Sequence, residues 1–149
     1  MATTSSEVYD LFLQTITDYR LIDLFNLSET DFENYLEAWL LFAINEFTMC
    51  TQSLAYSEGT FTETLTTETM LILATLMMRY WLQKNVNDIT QMNLHVTDRD
   101  FKTASEALNL REKVAHLNVV KEQCSQMLNN YEFKNLDWDS WWNQDFEGV

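Results

Sequence analysis

The chain has 149 residues, 46% of them hydrophobic by a wide definition and 13% aromatic, which suits one globular domain with a real core and argues against wholesale disorder. Proline is absent, glycine occurs only as Gly59 and Gly148, and cysteine only as Cys50 and Cys124, so collagen, turn-dense β-sandwiches and disulfide or Cys-rich zinc frameworks are excluded. The net charge of −14 makes direct sequence-specific binding to nucleic acid a poor expectation, because carboxylates repel phosphate.

In chain order, Ser5 or Ser6 caps a first helix, with Glu7 and Asp10 near its positive end. Val8, Leu11, Phe12, Thr15 and Tyr19 follow at helical spacing, and Leu21 to Leu27 reads as a short apolar continuation. Ser28 followed by Asp31 resembles a capping box with Asp in place of Glu. It opens the cleanest period in the sequence: Phe32, Tyr35, Leu36, Trp39, Leu40, Ala43, Ile44 and Phe47 lay one stripe along a helix from about Glu29 to Thr48. Glu33, Glu37 and Glu46 fall opposite that stripe, as a solvated face.

Residues 49–64 lose the helical period and predict a loop with a hairpin around Ser57, Glu58 and Gly59. Thr66 and Glu68 restart a helix over about 67–92, with Leu71, Ala74, Met78, Leu82 and Ile89 on its most apolar side. Its first half is apolar nearly all round, which predicts a central helix packed by several neighbours. The run Met70 to Leu82 is too short to span a bilayer, which takes about 20 residues, and the opening residues lack a basic region followed by an apolar stretch. The expectation is a protein without a membrane segment or a targeting signal.

After a connection at Asn93 to Val96, Thr97 caps the longest helix, about 98–131. Phe101, Ala104, Ser105 and Leu108 form one stripe on it; Leu110, Val114, Leu117, Cys124, Leu128 and Tyr131 form a second, displaced one. The predicted fold is all-α, a bundle of three to four helices with a long C-terminal helix, a hairpin-like loop near 50–64 and an extended arm. Residues 1–131 make the bundle and 132–149 an acidic, Trp-rich arm.

Nothing in the sequence builds an active site. His95 and His116 have no second His and no Cys at metal-ligand spacing, and no phosphate loop, nucleophile elbow or calcium loop occurs. Glu33 and Glu37 lie one helical turn apart, but without a facing Glu-x-x-His element they make no di-metal site. The expectation is a non-enzyme with no cofactor and no metal. The methionines, Met70, Met77 and Met78 among them, read as core filler, and the two cysteines as small buried hydrophobes.

Two features point to partners instead. Residues 1–70 carry twelve acids against Arg20 alone, and Glu29, Asp31, Glu33 and Glu37 are the candidates for an acidic surface facing a DNA channel. The arm places three of the five tryptophans, Trp138, Trp141 and Trp142, within five residues, interleaved with acids and followed by Phe146. Tryptophans anchor interfaces, and flanking acids keep an unbound arm soluble.

The residues Phe47 and Cys50, then Phe61, Leu65, Thr66 and Glu68, then Ile72, Leu73, Ala74, Leu76, Met77, Trp81 and Leu82, then Thr97, Asp98, Asp100, Phe101, Lys102, Ser105, Ala107 and Leu110, resemble small structural proteins of tailed bacteriophages. Among these the pattern is similar to the helical head–tail connector (adaptor) proteins that ring the underside of the portal. The resemblance covers about residues 30–131, as helix order and scattered residues. It implies a virion structural protein in the neck, assembled in the host cytoplasm. It also implies a homo-oligomeric ring, of about twelve copies, with an arm that reaches the portal, a neck or tail protein, or a neighbouring subunit. The alternative from charge alone is a small acidic DNA mimic that blocks a nucleic-acid-binding enzyme.

Overall fold

The computed structural model describes residues 2–16, 18–95 and 102–144, without the side chains of 92–95, 102–107, 141, 143 and 144. The fold is all-α, as predicted. Among the described residues there are six helices and one small hairpin: α1 (Ser5–Thr15), α2 (Tyr19–Leu27), α3 (Glu29–Glu46), β1 (Tyr56–Ser57), β2 (Thr60–Phe61), α4 (Thr67–His95), α5 (Lys102–Lys134) and α6 (Trp138–Gln144).

The central helix is α4, packed against α1, α3 and α5. Ile72, Leu73, Ala74, Leu76 and Met77 are buried on it, which takes up more than half of its circumference, and Leu82 and Val86 continue the buried line. Of the expected apolar side, Ala74 and Leu82 are buried and Met78 and Ile89 half-buried, but Leu71 is exposed and Ile72 buried in its place. A helix that is apolar all round carries no moment from which to read its orientation. Val8, Tyr9 and Phe12 of α1, and Leu36, Leu40 and Ala43 of α3, close the core on one side; Leu117, Val120 and Cys124 of α5 close it on the other. Lys134 Nζ meets Glu68 Oε2 at 2.7 Å and Cys124 Sγ lies 3.7 Å from Thr75 O, so α5 runs antiparallel to α4. Burial pushes the Cys124 thiol up to about 11, which leaves it a packing group rather than a nucleophile.

Local chemistry sets the element ends. The first helix is capped by Thr4 rather than Ser5 or Ser6, because Glu7 Oε2 accepts the Thr4 backbone N–H at 2.8 Å, as in a capping box. The expected continuation at 21–27 is a separate helix, α2, since the Asp18 carboxylate accepts the Arg20 N–H at 3.0 Å and starts a new N-terminus. Ser28 Oγ accepts the Asp31 N–H at 3.2 Å and caps α3 as the sequence predicts. Thr66 Oγ1 accepts the Thr69 N–H at 3.2 Å and does the same for α4. The cap expected at Thr97, and Phe101 of the first α5 stripe, lie outside the described residues.

The predicted hairpin is present, with Tyr56 opposite Phe61 and Ser57 opposite Thr60. Two strands alone are marginal in water. Here residues 3–5 line its second edge: Phe61 N–H donates to Thr3 O and Ser5 N–H to Gly59 O, both at 2.9 Å. Gln52 ties the hairpin to the start of α4, its Oε1 accepting from Thr66 N at 2.9 Å and from the buried Thr69 Oγ1 at 2.8 Å. At the far end of α5, the Tyr131 hydroxyl bonds Thr51 Oγ1 at 2.8 Å while its ring meets Phe47 edge to face. That helix continues unbroken through the expected boundary at 131 to Lys134, and the arm beyond it contains α6 rather than irregular chain alone.

Candidate functional site

Glu29, Glu33 and Glu37 recur every fourth residue on α3, which stacks them on one line about 6 Å apart. That line faces α1 across a groove closed at one end by the hairpin. Two adjoining hollows of about 420 and 200 Å³ make up the groove and share Ser5, Ser6, Tyr9 and Glu33 in their walls. Asp10, Glu29, Glu37 and Glu58 complete the acidic lining, and no basic residue takes part. Asp31 is not among these residues: two positions from Glu29 it is turned about 200° around the helix, and it serves the first turn of α3 instead.

The groove is less uniformly solvated than its sequence suggests. Glu37 is half-buried, and its Oε1 accepts the Tyr56 hydroxyl at 3.0 Å. The Tyr9 hydroxyl shares hydrogen bonds with Tyr56 and Ser5, and burial above all raises both tyrosines above their ordinary pKa. Neutral hydroxyls therefore floor a carboxylate-walled trough. Such a surface attracts cationic side chains and repels phosphate. Glu46, expected on the same solvated face, instead grips the Arg79 guanidinium across the α3–α4 contact, while Arg79 also lies 4.5 Å over the Tyr80 ring.

Beside the groove lies a surface that the sequence reading did not foresee. On α2, Tyr19, Ile22, Phe25 and Leu27 are 76, 57, 50 and 84% exposed, although only Leu21 of that helix is buried. Ile22 and Phe25, with Leu13, Ile16, Leu21 and Phe32, border an apolar hollow of about 340 Å³. The signal was present: five large apolar residues in the seven from Leu21 to Leu27 are more than one face of a short helix can bury. Leu41 and Phe42, both about half exposed, extend apolar surface along α3, where Phe42 stacks on Tyr80.

The arm supplies the third surface. Asp137 Oδ1 accepts the Ser140 N–H at 3.2 Å and opens α6. Trp138 meets the Phe133 ring edge to face at 4.8 Å, so the arm's first tryptophan leans on the end of α5. Trp142 is 65% exposed. The backbone of Trp141 belongs to α6, but its side chain and the whole of Phe146 lie outside the described residues.

Among the described residues no group of three or more His, Cys, Asp or Glu side chains is placed to hold a metal ion, and no helix is long and apolar enough to cross a membrane. Comparison with protein-family models, curated proteins and solved structures finds no match to the chain.

Proposed function

We propose that the protein is a non-catalytic structural subunit of a tailed-phage virion, a head–tail connector that oligomerises in the neck between portal and tail. The observation that carries this reading is the pairing of two neighbouring surfaces of opposite character. The face of α2 leaves four large apolar side chains in water, more than a lone soluble subunit has reason to present in so short a helix. The charged lining of the adjoining groove between α1 and α3 consists of carboxylates, with no basic residue among them. A ring needs adhesive flanks, and its bore must let DNA slide past without sticking. Apolar flanks and an acidic wall suit those two tasks. The protein would be made in the host cytoplasm and reside in the virion, with portal, neck and tail proteins as its partners.

The DNA-mimic reading draws on the regular line of Glu29, Glu33 and Glu37, which spaces charge along one edge as a polyanion does. Native mass measurement of the purified chain, alone and with portal protein, separates the two. The connector reading expects one discrete closed assembly of many copies, alone or on the portal. A monomer or dimer that ignores the portal and displaces DNA from a basic protein would overturn it in favour of mimicry.

A further inference from the structure

A groove not yet described lies over the second half of α4. Trp81, Leu82 and Val86 form its floor, Arg20 of α2 with its partner Asp18, and Lys113 and His116 of α5, its rim, and it encloses about 350 Å³. The acidic and apolar grooves described above carry no basic residue at all. Here three stand around an apolar floor. Four ion pairs join described residues, and Lys113 and His116 belong to none of them. Arg20 is anchored by Asp18 and by Asn85 Oδ1 at 2.9 Å, while 73% of its side chain remains in water.

We propose that this groove receives the acidic, tryptophan-bearing segment from Asp137 to Gln144 of a second copy of the chain. Complementarity selects that occupant. The segment alternates indoles with Asp137 and Asp139, so tryptophan can lie on the floor while carboxylates meet Lys113 and Arg20. The apolar hollow beside α2 is a worse host for it, because Asp18 lines both hollows but only the groove over α4 sets cations against it. Geometry selects a second copy. His116 precedes Lys134 by eighteen residues of continuous helix, which is about 27 Å of rise. The chain's own α6 is held at the far end by the contact of Trp138 with Phe133, and its seven residues span only about 10 Å. Each copy thus offers an arm at one end of α5 and a receiving groove toward the other. Two different surfaces in head-to-tail contact close into rings when the rotation allows. The inference rests on the assembly reading above and names the contact that would build it.

The test titrates a labelled peptide of residues 135–149 into the full chain at about 0.05 and 0.5 M salt. Binding should weaken at high salt, and Lys113→Glu in the full chain should weaken it at least about tenfold. A peptide carrying Asp137→Lys and Asp139→Lys should regain affinity for the Lys113→Glu chain. Lys113 is exposed, so the variant should keep the wild-type helical signal. No binding, equal binding to Lys113→Glu, or duplex DNA taking the groove in the peptide's place overturns the proposal. Native mass of the same proteins separates the two levels. Assembly with a peptide indifferent to Lys113 sinks the groove but not the ring. A single subunit that binds the peptide through Lys113 sustains the groove and sinks the ring.

Discussion

Asp18 shows how much one side chain settles in this fold. It is the N-cap of α2, it holds Arg20 through Nε at 3.1 Å and Nη2 at 3.2 Å, and its side chain is 9% exposed. Burial opposes its charge, but the hydrogen bonds and charge of Arg20 outweigh burial and hold the carboxyl below its usual value; the Trp81 indole N–H, close by but short of full bonding geometry, helps. A carboxyl with a depressed folded pKa contributes stability that is complete above the unfolded pKa of about 3.9 and is lost as pH falls through the folded value. Asp18→Asn should therefore be less stable than the parent at pH 6, with the difference shrinking steadily below about pH 4. Thermal melts of both proteins across that range check it. A gap that stays constant with pH would mean that the cap matters through shape alone.

At the scale of elements, the hairpin turn carries a removable strain. Glu58 and Gly59 have φ of 49° and 76°, the pair of left-handed residues that a two-residue type I′ turn requires. Glycine adopts that conformation freely, whereas a glutamate at the first position does not. Asparagine tolerates it, so Glu58→Asn should raise stability by about 0.5–1 kcal/mol. The denaturant midpoint should rise with an unchanged slope, and a fall would show that Glu58 makes a compensating contact. This turn was legible in the sequence because Gly59 is the one glycine between two helical periods. Ser28 and Thr66 were legible as caps for a similar reason: each precedes a strong period. The start of α2 was harder to read, since Asp18 follows Ile16 and Thr17 with no glycine or proline to mark the break. Glu37 and Glu46 sit where periodicity puts solvent, and only long-range partners, Tyr56 and Arg79, draw them in. Of the acidic candidates, Glu29, Glu33 and Glu37 share a line on α3 that periodicity alone makes legible, and Asp31 is turned away from it. The basic groove was invisible to it, because its lining comes from four separate helices.

At the scale of the molecule, the balance of burial against ordering decides whether the arm belongs to its own subunit or to the next. Fully burying a tryptophan removes about 150–250 Å² of surface from water, worth about 4–6 kcal/mol at 25 cal/mol per Å². Ordering flexible backbone costs about 1–2 kcal/mol per residue. In this chain part of that cost is already met within the subunit, because residues 138–144 are helical and Trp138 rests on Phe133. Trp142 is still 65% exposed, so its burial remains to be gained in an assembly. The double substitution Trp141→Ala with Trp142→Ala should remove most of that gain and little of the subunit's own core. Assembly, read as native mass or as incorporation into particles, should be lost. The melting temperature of the isolated subunit should fall by no more than a few degrees, the shift that about 1 kcal/mol produces in a domain of this size. If the subunit itself unfolds, the arm is part of its own core. If it assembles normally at normal stability, the tryptophans anchor nothing, and adhesion must reside on the apolar face of α2, where Ile22→Ser with Phe25→Ser would then be the variant that abolishes it.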